Sequence, residues 1–321
     1  MNIVLASDNN YAPHLATLIV SICENNLNEI ITIHVLDGGI NKESKNRINY
    51  LKKQYNNLEI LYYEINDKII LNKIGLDNLG QDRSLTTYAR IFIPEFLNNK
   101  IKKALYLDVD GIVKGSLKEL FEIDNKDYAI MGVKDISNSD FRTKIGLKLQ
   151  DDYICAGVLL WNLEKCRREH IVDKFKKFII SYDGDVKAMD QGTINGVLNG
   201  NVKLLHPRYN VLTPFFFKKS NVLKDLGNWD EYYSDSEIKD AITNPIFVHF
   251  TPGFTTRPWI KNCKHPLKNE YYKYRNKTLF SNYELLDDNR KFYVKFLGFI
   301  FFHFPYGFYR TIYNVLYKIF R

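Results

Sequence analysis

Lys103-Ala104-Leu105-Tyr106-Leu107-Asp108-Val109-Asp110-Gly111 is an apolar run that stops abruptly in two carboxylates and a glycine. The run reads as a buried strand, and in an open α/β sheet ligands bind beyond the carboxyl ends of the strands, where the loops diverge. Two carboxylates two residues apart in such a loop can turn toward one hard divalent cation, Mg²⁺ or Mn²⁺. Asp-x-Asp alone is commonly a solvated acidic turn; its position directly after this strand is what favours a ligand site.

On either side of this stretch, short apolar runs alternate with segments of helical period, the pattern of an α/β fold with a mostly parallel sheet. Strands are expected at 3–6, 30–36, 58–65, 104–107, 128–133, 157–161, 202–205 and 246–249. Helices are expected at 13–25, from Asn41 to about Tyr55, and at 84–92, 164–180 and 190–198. The first strand ends in Ala6-Ser7-Asp8-Asn9-Asn10-Tyr11 with no Gly-x-Gly-x-x-Gly after it, so the dinucleotide fingerprint is missing. Asp8 could accept from a base or ribose while Tyr11 stacks on the base; equally, Ser7 or Asp8 could cap the next helix. His249 ends the run Ile246-Phe247-Val248-His249, followed by Gly253 and Arg257-Pro258-Trp259. A glycine that admits a phosphate, followed by a cation, suits a diphosphate, and a neutral imidazole would complete an oxygen and nitrogen site suited to Mn²⁺.

The 321 residues are 45% hydrophobic and 26% charged, which excludes disordered, collagen-like and mucin-like chains. The net charge of +8 is unevenly placed. Of the 45 Lys and Arg, six lie in residues 290–321, which contain no acid; the other 39 face all 37 acids, leaving residues 1–289 at only +2. The same tail is dense in Phe and Tyr. Arg310, Asn314, Lys318 and Arg321 fall on one side of a helix, and Tyr309, Ile312, Leu316, Ile319 and Phe320 on the other. This pattern is that of a helix lying on an anionic membrane surface, the alternative being aromatic residues that pack on the body. No other basic surface supports nucleic acid as a partner. Four scattered cysteines without a CxxC pair suggest neither disulfides nor a zinc knuckle and fit a reducing cytoplasm. The N-terminus lacks a signal-peptide pattern, and no segment reaches the roughly 20 apolar residues of a membrane span. The expected organisation is one domain over 1–280 and a membrane-associating tail over 281–321, peripheral to the inner face of the cytoplasmic membrane.

Six stretches stand out in order: the Ala6–Tyr11 segment, Ser84-Leu85-Thr86-Thr87-Tyr88-Ala89-Arg90, Tyr106-Leu107-Asp108-Val109-Asp110, Ala156-Gly157-Val158-Leu159-Leu160-Trp161-Asn162-Leu163, Asp190-Gln191-Gly192, and the segment from His249 to Trp259. This is the order seen in glycosyltransferase family 8, and the chain resembles its bacterial lipooligosaccharide and lipopolysaccharide galactosyltransferase or glucosyltransferase branch. Together they span about residues 1–265. The resemblance implies a GT-A type, Rossmann-like nucleotide-sugar-binding domain and a retaining, metal-dependent transfer of galactose or glucose from UDP-galactose or UDP-glucose to a glycan hydroxyl, such as one on a lipopolysaccharide core. It implies that Ala6, Asp8, Asn10 and Tyr11 hold the uridine, with Val109 beside the ribose. Asp108, Asp110 and His249 would bind Mn²⁺, with Mg²⁺ as the substitute, and Gly253 and Arg257 the diphosphate. Arg90, Asp108, Ala156, Asp190 and Gln191 would surround the donor sugar, and Asp135 is similar to an acceptor-side acid.

Two departures from the family pattern stand out. Cys155-Ala156-Gly157 replaces the usual Asn-Ala-Gly, exchanging an amide for a weak thiol donor. The His-x-x-Gly-x-x-Lys-Pro-Trp segment is one residue longer in each spacing, with Arg257 in place of Lys; arginine can grip a diphosphate with two donors. Two other readings compete. The segment 107–113 also resembles the aspartyl-nucleophile motif of haloacid-dehalogenase-type phosphatases, which would make Asp108 a nucleophile, though that motif normally sits on the first strand. A non-catalytic membrane scaffold is the other.

Overall fold

The computed structural model describes residues 1–77, 85–136, 139–251 and 255–319. Its centre is a seven-stranded sheet of β1 (Asn2–Ser7), β2 (Ile31–Asp37), β3 (Leu58–Glu64), β4 (Lys103–Leu107), β6 (Ile130–Lys134), β7 (Ile154–Asn162) and β8 (Lys203–Leu204), in the order β3-β2-β1-β4-β7-β6-β8. The β3-β2-β1-β4 half and the β6/β8 pair are parallel; β7 runs antiparallel to both β4 and β6. The sheet is mostly parallel, as the strand spacing anticipates. Helices cover both faces, so the strands read as near-continuous apolar runs. The helix Ala12–Glu24 starts with proline in its first turn and is buried almost throughout.

A second, three-stranded sheet was not expected. It consists of β5 (Gly111–Val113), β9 (Val211–Leu212) and β10 (Phe247–His249), in the order β5-β10-β9. β10 is antiparallel to β5, with His249 opposite Gly111, and parallel to β9, with His249 opposite Leu212. That register carries a histidine 139 positions further along the chain to the residue beside Asp110. The Val113 N–H is tied to Ser21 Oγ at 2.9 Å, locking the small sheet to the Ala12–Glu24 helix.

The long helix expected over 164–180 is two helices, Leu163–Arg168 and Ile171–Ser181, broken where His170 takes φ +52°. The segment Leu85–Phe92 is a 3₁₀ helix; Ser84, counted with it above, lies outside the described residues. The tail forms two helices, Phe292–His303 and Tyr306–Ile319, parted at Pro305. Phe301 and Tyr309 are buried where the pair meets, Leu226 of the body packs on them, and Phe217 and Phe302 meet edge to face. The packing reading of the tail holds for these residues, while Phe292, Phe296, Phe299, Phe304 and Phe308 remain exposed.

Candidate active site

Asp108 and Asp110 leave β4 at its carboxyl end. The Asp108 N–H donates to Gly157 O at 2.8 Å, and the Asp110 carbonyl accepts from Phe250 N–H at 2.9 Å. These two backbone bonds set the loop between β7 and the chain just past β10. His249 Nε2 then lies 2.9 Å from Asp110 Oδ1 and 3.8 Å from Asp108 Oδ2. One ligand atom from each of the three residues lies within 4.8 Å of the others. Two carboxylate oxygens and an imidazole nitrogen are a donor set that fits Mn²⁺ or Mg²⁺.

The charges around this cluster are closely balanced. Burial alone would raise the Asp110 pKa, but His249 and Arg257 outweigh it and hold the carboxyl well below its usual range. Burial opposes a charged His249, and Asp110 overcomes it, raising the imidazole well above its ordinary value. Arg257 Nη2 donates to Asp110 Oδ2 at 2.6 Å and Nη1 to Tyr11 OH at 3.2 Å. Trp259, two residues on, is buried and stacks on His14 at 3.8 Å, which anchors the arginine's segment.

On the other side, Arg90 is a three-way clamp. Its guanidinium meets Asp108 Oδ1 at 3.0 Å, Asp190 Oδ2 at 2.9 Å and the Ala156 carbonyl at 2.8 Å, and lies over the Tyr106 ring. Burial disfavours its charge, but Asp108 and Asp190 raise its pKa overall; Asp190 is itself pushed up to about 6 by burial against the pull of Arg90. Gln191 is fixed at both ends. Its Oε1 accepts from the Ala156 N–H at 2.9 Å, while Nε2 faces Asp135 Oδ2 at 2.8 Å and Tyr153 OH at 3.1 Å. With both N–H groups engaged, the lone pair left to the amide belongs to its oxygen.

A cleft of about 310 Å³ opens onto these groups, lined by Ala6, Ser7, Asp8, Tyr11, Thr87, Arg90, Tyr106, Asp108, Val109, Asp110 and Arg257. Asp8 lines the cleft and accepts from Tyr11 N–H at 3.0 Å just before the first helix, whose N-cap residue is Tyr11 and which has no side-chain cap bond. Asn10 is exposed and is not part of the lining. His249, Ala156, Asp190 and Gln191 stand behind the lining, joined to it through Asp110 and Arg90. Asp135 is one bond further back, its carbonyl gripped by the Trp229 indole N–H at 2.9 Å. Gly253 lies outside the described residues.

The sequence reading gave no role to Tyr106, Tyr153 or Asn210. Tyr106 OH donates to Asp108 Oδ1 at 2.8 Å, and strand alternation would have placed the two on one side. Tyr153 and Asn210 reach the site only through tertiary pairing and carry no local signal.

The fold and the cleft together define a glycosyltransferase of the GT-A type. The chain belongs to glycosyl transferase family 8, whose sequence profile matches residues 2–263. It is 35% identical over 273 residues to a putative glycosyltransferase of Haemophilus influenzae, covering 83% of this chain and 74% of that one. It is 26% identical over 277 residues to a lipopolysaccharide 1,2-glucosyltransferase of Escherichia coli, covering 85% and 76%. Among solved structures it is similar to the galactosyltransferase LgtC in complex with donor and acceptor sugar analogues, with a TM-score of 0.70 and 26% identity over 87% of this chain and 96% of that one. Family membership replaces the phosphatase reading of Asp108.

Proposed function

We propose that this protein is a retaining, metal-dependent hexosyltransferase that moves galactose or glucose from UDP-galactose or UDP-glucose to a hydroxyl of a cell-envelope glycan such as a lipopolysaccharide core. The observation that carries this reading is the convergence of Asp108, Asp110, His249 and Arg257 at the end of a cleft lined by Asp8 and Tyr11. Asp8 and Tyr11, with Ala6, Asn10 and Val109, would take the uridine. Asp108, Asp110 and His249 would hold Mn²⁺, or Mg²⁺ in its place, and such a cation supplies Lewis-acid stabilisation to a departing diphosphate.

Arg257, which now neutralises Asp110, would bring a second positive charge to the diphosphate, and by family resemblance Gly253 would share in holding it. Arg90 and Asp190 would orient the donor hexose next to Ala156. Gln191 presents an amide oxygen, a poor nucleophile but a suitable dipole for a sugar that becomes oxocarbenium-like. Retention then follows from front-face attack by the acceptor hydroxyl, with Asp135 on the acceptor side. Residues 1–280 would form the catalytic domain. Residues 281–321 would be the tail, whose first part stays hydrogen-bonded to the body through Leu286. Among the described residues no helix is long and apolar enough to cross a membrane. The basic aromatic tail would instead hold the enzyme on the cytoplasmic membrane's inner face, with no nucleic acid involved.

The test is UDP release from a panel of UDP-sugars with Mn²⁺. UDP-galactose or UDP-glucose should be hydrolysed slowly without acceptor, and Asp110→Asn or chelation should lower the rate by roughly a hundredfold or more. Turnover of neither sugar would overturn the reading.

A further inference from the structure

His249 can serve a cation only through Nε2, the nitrogen that faces Asp110 and Asp108. A neutral imidazole has one lone pair, and the hydrogen bond made by the other nitrogen decides where it lies. The Nδ1 side faces Asn210 Oδ1 at 3.2 Å, in the buried interior. Asn210 is fully buried and sits immediately before β9, whose parallel pairing with β10 fixes its place beside the histidine. Thr213 Oγ1 bonds the His249 carbonyl at 3.3 Å, so the backbone under the ring is held from the same segment.

The cost of this asparagine is informative. Its Nδ2 is buried with no hydrogen-bond partner among the described residues. An unsatisfied buried amide donor is destabilising, and an apolar residue of the same branched shape would avoid it. A residue that breaks the packing rule at this position is expected where function requires it. We propose that Asn210 is the positioning residue that holds His249 in the Nδ1–H tautomer, so that the Nε2 lone pair completes the cation site with Asp108 and Asp110. The inference rests on the cation site proposed above and assigns a role to a residue outside the six sequence motifs.

Mn²⁺ binding by the 321-residue chain, measured with UDP present from the electron paramagnetic resonance signal of free Mn²⁺, tests it. Asn210→Leu, which removes the acceptor while keeping the γ-branched heavy-atom shape, should weaken Mn²⁺ by about 10–100-fold without the loss of melting temperature that a purely structural role predicts. Asn210→Asp, which keeps an acceptor, should stay within about threefold of the unmutated protein. A merely structural asparagine gives the opposite pattern: lower stability with unchanged affinity for Mn²⁺, which overturns the inference. If Asn210→Leu does not fold, ¹⁵N-histidine spectra of the unmutated protein with UDP and diamagnetic Zn²⁺ decide the matter. They should show Nδ1 protonated and Nε2 metal-bound, assigned by loss of the signal in His249→Gln; the reverse pattern overturns the inference. Failure of the unmutated protein to bind Mn²⁺ would overturn the cation reading and this inference with it, whereas binding that ignores Asn210→Leu overturns this inference alone.

Discussion

At the scale of single residues, the site depends as much on a missing side chain as on those present. A Cβ added at Gly157 would lie 2.6 Å from His249 Nδ1 and 3.2 Å from Asp108 Oδ2, so two of the three candidate ligands would have to move. Gly157→Ala should therefore cost about 1–3 kcal/mol of stability, as overpacking does, and lower UDP-sugar hydrolysis by far more than that loss explains. Thermal melting together with Mn²⁺ titration checks this: a variant that melts lower yet binds Mn²⁺ normally would show that the ring is not held against Gly157. The sequence displayed Asp108, Asp110, His249, Arg90 and Gln191 because each sits in a local pattern. It hid Asn210 and Tyr153 because their partners, His249 and Gln191, are 39 and 38 positions away.

At the scale of elements, the central strands β1, β2, β4, β6 and β7 of the large sheet were legible because burial on both faces writes long apolar runs. Of the small sheet only β10 was, as the run 246–249; β5 and β9, of three and two residues, have no measurable period and exist only through their pairing. The break at His170 was equally hidden, because the apolar spacing continues across it. Buried histidines lead to a pH dependence. His34 in β2 bridges Asn2 of β1 and Tyr63 of β3, at 3.0 Å to each, and burial pushes it down to about 4. Burial likewise pushes His14 to about 3 and His265 to about 4. Each is neutral in the folded protein and titrates near 6.5 once unfolded. The unfolded chain thus binds more protons between about pH 4 and 6.5. The stability these residues contribute is fully present above about pH 6.5 and is lost as the pH falls toward 4, by at most about 1.4 kcal/mol per pH unit for each histidine. Asp190 and His249, whose folded pKa values are raised, act with the opposite sign, so the test is the difference: between pH 7 and pH 5, urea unfolding of His34→Gln should lose less stability than that of the unmutated protein. An equal loss in that variant would mean the proton uptake lies elsewhere.

At the scale of the whole molecule, the charge separates into a nearly neutral body and a tail of six basic residues without acids. Composition made that division legible, but not how the tail sits. Phe301 and Tyr309 turn inward, Lys218 Nζ donates to the Phe301 carbonyl at 2.5 Å, and the aromatic residues left outside are Phe292, Phe296, Phe299, Phe304 and Phe308 among others. The inward pair joins the helices to the body, and the outward set has the composition of a headgroup-layer face. Deleting residues 290–321 would remove the buried contacts and the outward aromatic residues at once and would also uncover Leu226 and Phe217. Replacing Phe292, Phe299 and Phe308 by serine separates them, because the buried contacts stay. Near an anionic surface each Lys or Arg contributes about 1 kcal/mol, an attraction that salt screens. The triple variant should lose most of its sedimentation with phosphatidylserine-containing vesicles, and salt should release the unmutated protein. UDP-sugar hydrolysis should be unchanged in both, since none of these side chains approaches the cleft. Vesicle binding that survives the three substitutions would show that this face is not the membrane contact.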